Sequence, residues 1–327
     1  MAYTGTATTG TGVSALISKY YDKLALEILM PELVLYNLCE KKPLPKNEGK
    51  SIVFHRYIAR STMVSAYALT EGGSGAWPTW GLVSSTSVSA TVAQYGDAVQ
   101  VSDLIELTAV STIVEDTIKL LMQNAANIID RLIFEVAYGT SSIPSEATFG
   151  ITWPSAQGYS IGKLSTLTSA CLMDVNGIKA AVYDLKRLNV QPKANGFYDM
   201  VIDPIQSVKL TSDPAWRDAY MYTTPENLRR GQIGKIAGVE VYETTNVFMT
   251  ASGTGVANTT SAYFALVLGR GSLAVTEIDG GVKTYVKRPN QYDTANPLNQ
   301  WSSIGWKINF IPVILNVSCG RILPTTA

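Results

Sequence analysis

The run from Thr112 to Gly139, TIVEDTIKLLMQNAANIIDRLIFEVAYG, decides the reading of the fold. Thr112 and Glu115 have the T-x-x-E spacing of a capping box, in which each side chain serves a backbone N–H that the first helical turn leaves unpaired. Val114, Ile118, Leu121, Ala125, Ile128, Leu132 and Val136 then step by three or four residues and predict one apolar stripe. Glu115, Lys119, Gln123, Asp130 and Arg131 fall on the other side, with Glu115 and Lys119 spaced as a favourable i,i+4 pair. Gly139 is placed to end the helix in the left-handed conformation. At 1.5 Å per residue a helix over 113–138 is about 39 Å long, a rigid support for a sheet.

Upstream, residues 50–100 read as β. Ser51-Ile52-Val53-Phe54 and Tyr57-Ile58 form one strand, and Val83 to Val101 alternates for most of its length, with Val88, Ala90 and Val92 against Ser87, Ser89 and Thr91. Between them, Leu69 to Trp80 (LTEGGSGAWPTW) is a loop tip, because its glycines interrupt any strand. The block predicts a long hairpin, and two strands alone bury too little to be stable in water. Further upstream, Leu16, Tyr20, Leu24 and Ile28 recur every fourth residue until Pro31. Residues 2–12 are small and aperiodic, as in a mobile arm.

Downstream, residues 140–170 read as loop. Asp174 caps a helix over Val175–Leu188 whose face is Ile178, Val182 and Leu185. Asp203-Pro204 and Asp213-Pro214 each read as an N-cap followed by proline at the first helical position. A further short helix fits Pro225 to Arg230, and strands fit Phe197–Ile202, Val239–Tyr242, Tyr263–Leu268 and Val282–Lys287. Ala251 to Ser261 reads as a Gly/Thr/Asn loop. Ser302 to Ile322 reads as one nearly unbroken strand, with Pro312 at a bulge or an edge. The fold class is α+β.

The 327 residues are 46% hydrophobic, which excludes disorder, and sparsely charged, with 26 Lys+Arg against 26 Asp+Glu. A neutral chain has no general electrostatic pull toward nucleic acid or an anionic membrane. Few charges among many small residues suggest a surface that faces other protein. Cys39, Cys171 and Cys319 lie far apart and read as free thiols, without zinc or disulfide spacing. No secretory signal and no span of about 18 apolar residues is present, so a soluble product made in a cytoplasm is expected.

The search for chemistry is thin. His55, the single histidine, sits in a strand, so a histidine metal cluster is excluded and a nucleophilic triad has one possible base. Gly269-Arg270-Gly271-Ser272 lacks the spacing and lysine of a phosphate loop and reads as a turn. Asp97, Asp103, Glu106, Asp116 and Asp130 are the carboxylates from which a paired acid site could be drawn. Lys41, Lys42, Lys46 and Lys50 form either a solvated loop or a contact for packaged DNA or acidic patches on adjacent subunits. Trp77 and Trp80, beside Glu71, Gly72 and Gly73 in the tip, are either interface anchors or local packing. No catalytic residue, metal or cofactor is expected.

The order of parts, flexible arm, long β loop, long helix, α/β region and final strand, resembles the HK97 capsid fold. The fragments Leu69-Thr70-Glu71-Gly72, Ala90-Thr91-Val92-Ala93-Gln94-Tyr95-Gly96, Val101-Ser102-Asp103 and Ile129-Asp130 before Gly139-Thr140 look like the N4-gp56 family of phage major capsid proteins. That resemblance implies an N-terminal arm over 1–56, an E-loop over 57–98 lying on an adjacent subunit, and a peripheral domain with its spine helix over 99–170. It further implies an axial domain over 171–282 and peripheral return strands over 283–327. The implied product is a non-enzymatic shell subunit in the virion, forming hexamers and pentamers around double-stranded DNA. Implied partners are separate scaffolding and decoration proteins and a portal protein, with Glu71, Gly72, Gly73, Trp77, Trp80, Lys41, Lys42 and Lys46 as assembly contacts. An encapsulin-like compartment subunit, or another virion structural protein, is the alternative.

Overall fold

In a computed structural model of the protein the described residues are 33–58, 83–108, 113–139, 149–155, 158–160, 171–221, 234–250, 261–278, 280–288, 296–298 and 300–326. The arm's predicted helix before Pro31, the capping Thr112, the tip 69–80 and the predicted helix at 225–230 lie outside them. In chain order the helices are α1 (Leu35–Leu38), α2 (Asp103–Thr108), α3 (Ile113–Tyr138), α4 (Val175–Arg187), α5 (Pro204–Ser212) and α6 (Pro214–Met221). The strands used below are β1 (Glu40–Lys41), β2 (Ser51–Tyr57), β3 (Ser85–Thr91), β4 (Ala93–Ser102), β5 (Gly150–Ile151), β6 (Trp153–Ser155), β7 (Gly158–Ser160), β8 (Tyr198–Ile202), β9 (Lys235–Ile236) and β10 (Val239–Glu243). They continue with β11 (Met249–Thr250), β12 (Ala262–Leu268), β13 (Leu273–Glu277), β14 (Lys283–Lys287), β15 (Trp301–Ile314) and β16 (Gly320–Thr326).

Helix α3 has the predicted bounds, and Gly139 follows it at φ +86°, the left-handed conformation that glycine adopts without a Cβ clash. Its buried arc is wider than one stripe. Met122, Ala126, Ile129, Ile133, Phe134 and Ala137 are buried, whereas Ile128, Leu132 and Val136 are half-buried. The helix packs against two sheets, so one row of residues cannot make all the contacts. Lys119 approaches Asp116 at 3.9 Å in place of Glu115.

The first sheet centres on β15, which pairs antiparallel with β4 along 301–310 on one side and with β14 and then β13 on the other. Its alternation is regular: Ser302, Ile304, Trp306, Ile308 and Phe310 are buried toward α3, and the residues between them are half-buried. The second sheet has the order β5-β16-β12-β8-β10-β9, with β11 also on β12. It separates two cores. Val201, Phe264, Leu266, Leu268 and Ile322 face α3 and the first sheet. Met200, Ile202, Ala265, Val267 and Leu323 face the opposite way, into a second core with α4, Leu210 of α5 and Trp216 of α6. Strand β12 is therefore buried throughout.

The caps in this second half follow the sequence reading. The Asp174 carboxylate accepts from Gly177 N at 2.8 Å, and Asp203 forms a reciprocal capping box with Gln206. Asp213 does more than expected: one oxygen accepts from Ala215 N in α6, and the other accepts from Val175 N at the start of α4.

Three expectations need correction. The segment Ser302 to Ile322 is two strands, not one. Asn316 caps a single 3₁₀ turn over Val317–Cys319, and the chain then crosses from the first sheet into the second as β16. Residues 283–327 are thus shared between the sheets, and β13, from within 171–282, belongs to the first. The span Val83 to Val101 is likewise two strands that meet at Val92. Strand β3 pairs with β2, whereas β4 pairs with β15, so position 98 lies inside a core strand. Finally, Asp130 is not on the solvent side of α3 but fully buried.

Candidate assembly interface

Asp130 explains its own burial. Its carboxylate accepts from Val34 N and Leu35 N at 3.3 Å each and from Tyr36 N at 3.0 Å. Those are the donors that the four-residue α1 cannot satisfy itself, and a remote side chain supplies the cap. Burial raises the Asp130 carboxyl above the usual carboxylate range, against the opposing pull of the three N–H donors. Around it, the Tyr36 hydroxyl donates to Glu277, and Lys193 reaches both the Leu38 carbonyl and the Asp199 carboxylate. The chain then runs parallel to β13 as β1, with Lys42 N donating to Val275 O and Leu44 N to Glu277 O. The root of the arm, residues 33–44, is therefore clamped to α3 and to the first sheet. Cys39 is buried within this clamp and its thiol is pushed up to about 12 by burial. None of the three cysteines is joined in a disulfide.

The basic residues of this region do not form one patch. Lys41 lies over the Tyr36 ring at 4.4 Å, Lys42 approaches Glu40 at 3.8 Å, and Lys46 is exposed in the following turn. Adjacent strand residues point to opposite faces, which separates Lys41 from Lys42. Glu71, Gly72, Gly73, Trp77 and Trp80 lie outside the described residues.

The β2–β3 hairpin is a second surface. Ile52, Phe54, Val88 and Ala90 pack on Ala274, Ile311, Val313 and Leu315, so its base rests on the face of the first sheet that α3 leaves open. Val53 on the outer face of that base, and Tyr57, Ile58 and Val83 beyond it, are exposed, Tyr57 by 75% and Val83 by 72%. His55 is an exposed residue of β2. The uncovered half of the same sheet face forms a shallow trough of about 500 Å³ over β4, β15 and β14. Gly96 and Gly305 form its floor: a Cβ on Gly96 would meet the Trp306 carbonyl oxygen at 2.6 Å, and one on Gly305 would meet the Ala98 Cβ at 3.0 Å.

The carboxylates considered for catalysis have separate partners. Asp97 accepts from Asn124 at 3.2 Å, Asp103 caps its own helix at Leu104 N, Glu106 accepts from Ser302 Oγ at 3.3 Å and Asp116 faces Lys119. Among the described residues no three His, Cys, Asp or Glu converge as metal ligands, and no helix is long and apolar enough to cross a membrane. Sequence reasoning missed the Asp130 clamp, whose partners lie 94 to 96 residues away.

No protein-family profile and no curated protein matches the sequence. Solved structures do match. The capsid of Ralstonia phage GP4 aligns with a TM-score of 0.66 at 14% identity, covering 89% of this chain and 87% of that one. The capsid subunit of cyanophage Pam1 aligns with a TM-score of 0.63 at 15% identity, covering 86% of each chain. The SrpI encapsulin of Synechococcus elongatus aligns with a TM-score of 0.50 at 9% identity, covering 91% of this chain and 88% of that one. At these identities the likeness speaks to architecture, and the architecture is the α+β HK97-like fold of shell-forming proteins.

Proposed function

We propose that the chain is the major capsid protein of a tailed bacteriophage, a structural subunit that assembles into hexamers and pentamers of an icosahedral shell around double-stranded DNA. The observation that carries this reading is the β2–β3 hairpin: anchored at its base, it leaves Val53, Tyr57, Ile58 and Val83 exposed on a two-stranded projection. A subunit alone gains nothing from that exposure, whereas a neighbour that covers it removes apolar area from water at about 25 cal/mol per Å². Many such contacts per subunit make a closed lattice stable even when each is weak. The likeness to phage capsids over most of the chain supports the same conclusion.

Within that class the motif order over 69–140 supports reading the chain as an N4-gp56-like capsid protein. We read residues 1–56, 57–98, 99–170, 171–282 and 283–327 as arm, E-loop, spine-bearing peripheral domain, axial domain and return strands, with β4 from residue 93 and β13 joining the first sheet and β16 the second. The subunit is made in the host cytoplasm and resides in the virion. A separate scaffolding protein directs assembly, a portal protein occupies one vertex and decoration proteins bind the finished shell. Lys41, Lys42 and Lys46 make non-specific contacts with packaged DNA or with acidic neighbours. An encapsulin-like compartment is the second reading, favoured by the alignment with SrpI.

Expressed protein should form closed particles visible by negative-stain microscopy, with or without a co-expressed scaffold. A subunit that stays monomeric at all concentrations and with scaffold present would refute the proposal, and enzyme cargo inside the particles would favour the encapsulin reading. Replacing Trp77 and Trp80 with alanine should reduce particle yield while leaving the melting temperature of the unassembled subunit unchanged. Equal yields would show that these tryptophans are not anchors.

A further inference from the structure

Strand β4 leaves one edge of the first sheet open. It runs for 10 residues, and among the described strands it pairs only with β15. The direction of each backbone group follows from the ladder. The Asn309 carbonyl accepts from Ile278 N on the β13 side of β15. Odd-numbered residues of β15 therefore bond toward β13 and β14, and even-numbered ones toward β4. Their partners in β4 are Ala93, Tyr95, Asp97, Val99 and Val101. Asp103 N, donating to Gln300 O, continues the same alternation. Gln94, Gly96, Ala98 and Gln100 thus turn their N–H and C=O groups away from the sheet, and all four residues are exposed.

One of these outward donors is occupied. Ala98 N donates to the carboxylate of Asp97 at 2.8 Å, and the other Asp97 oxygen accepts from Asn124 of α3 at 3.2 Å. Long exposed edges are templates for a further strand, and a charge on the edge blunts them. Asp97 is the one charged residue of β4, and it covers the donor nearest the middle of the strand. Above the same edge, Leu120 stands one helical turn before Asn124 on the same side of α3. It is 67% exposed, which nothing in a single chain explains.

We propose that β4 is a strand-addition edge on which β4 of a second copy of this chain pairs antiparallel, Ala98 opposite Ala98, and that Asp97 holds this edge closed in the single chain. The outward groups of an antiparallel edge are their own complement under a two-fold axis, so a second copy brings the matching strand with it. Charge and length set the register. A pair centred on Asp97 would oppose two carboxylates at the closest cross-strand spacing, which is unfavourable. A centre at Gly96 or Val99 shortens the overlap. Centred on Ala98, the pair uses the strand from Gln94 to Ser102 and places Gly96 opposite Gln100 and Asp97 opposite Val99. The Ala98 N–H then leaves Asp97 for the Ala98 carbonyl of the second copy, while Asn124 keeps its hold on the carboxylate. Both α3 helices lie on the same face of one continuous sheet, which turns each Leu120 toward the other copy. The pair goes beyond the shell reading and does not depend on it, because an isologous contact closes as a dimer.

The test uses the full-length protein. Ala98→Cys should give a disulfide-linked dimer on mild oxidation, because the Cα atoms of such an opposed pair lie about 5.5 Å apart, within disulfide reach. Gln94→Cys and Gln100→Cys, on the same exposed edge, should not, since neither faces its own copy. Wild type, with its three cysteines, sets the background. Sedimentation velocity below the concentration at which particles form follows association, and thermal melting follows folding. Ala98→Pro and Gln100→Pro each remove an outward donor that the β15 ladder does not use. Each should raise the dimer dissociation constant by about tenfold, two hydrogen bonds being lost across the pair, with little change in melting. Leu120→Ser should act in the same direction. Asp97→Ala should lower the constant by a similar factor, the opposite of what loss of a merely structural residue would do. Equal cross-linking at 94, 98 and 100, or proline variants that fold and associate like wild type, would overturn the pairing. An Asp97→Ala variant that associates no better than wild type would overturn the gate. If Ala98→Pro does not fold, Gln100→Pro and the cysteine series decide. Dimers linked at 98 that never give particles would uphold the pair and sink the shell reading. Particles without a link at 98 would sink the pair and leave the shell reading standing.

Discussion

Asp130→Ala should destabilise the folded chain by about 3–5 kcal/mol, because it strands one buried and two part-buried backbone donors, each worth roughly 1–3 kcal/mol when left unsatisfied. The Val34, Leu35 and Tyr36 N–H groups have Asp130 as their acceptor, and α1 is too short to offer them another. The damage should be local first. With the clamp gone, residues 33–44 peel from β13, and trypsin should cut after Lys41 much faster than in wild type, Lys42 being shielded by the proline that follows it. Unchanged urea unfolding together with unchanged cleavage would contradict the role assigned to Asp130. Asp130→Asn should cost less, since one amide oxygen still accepts. It also isolates a pH effect whose sign is fixed. Burial raises the Asp130 carboxyl in the folded state, so the folded subunit binds this proton more readily than the unfolded chain. The wild type should therefore gain stability relative to Asp130→Asn as pH falls through the window just above the ordinary carboxylate range, and lose it as pH rises back. A difference that is flat with pH, or of opposite slope, would show that the three hydrogen bonds outweigh desolvation.

Phe264→Ala should have a comparable effect, about 3–5 kcal/mol, the range for truncating a fully buried phenylalanine to leave a cavity. Phe264 is fully buried in β12 and points into the core shared by α3 and both sheets. Its ring lies 5.5 Å from that of Phe248, which in turn lies 5.7 Å from Tyr138. The Tyr138 hydroxyl donates to the Phe264 carbonyl, fixing the end of α3 to the strand. The neighbours cannot collapse into the space without moving either the helix or a strand that has partners on both edges. Phe264→Leu, which retains most of the volume, should cost far less. Calorimetry or urea titration decides the matter, and a loss below about 1 kcal/mol would mean that the site repacks.

Much of the architecture was legible because it is written locally. Helix α3 is specified by a 3.6-residue period and a terminal glycine, and α4, α5 and α6 by Asp174, Asp203 and Asp213 at their starts. What escaped the sequence is whatever depends on a remote partner. Period-two alternation tells which face a strand residue occupies but not which strand lies beside it. The change of partner at Val92 and the change of sheet after Ile314 therefore left no signature. Asp130 reads as a polar residue on a helix, and its partners are backbone groups that any sequence would provide. Of the residues named for assembly, the three arm lysines are positioned here on separate surfaces, and the five tip residues rest on sequence reasoning.

The placement of the last two strands bears on when the subunit can first be used. Strand β15 sits in the middle of one sheet and β16 between β5 and β12 in the other, so both sheets are completed by residues 301–326. A chain that has not yet made them lacks the central strand of the first sheet and the partner of β12 in the second, and leaves the core between the two sheets open. Its long-range pairings, such as β4 with β15 across about two hundred residues, must wait until that stretch has been made, and such distant pairing is intrinsically slow. Neither sheet is therefore complete before residues 301–326 have been made.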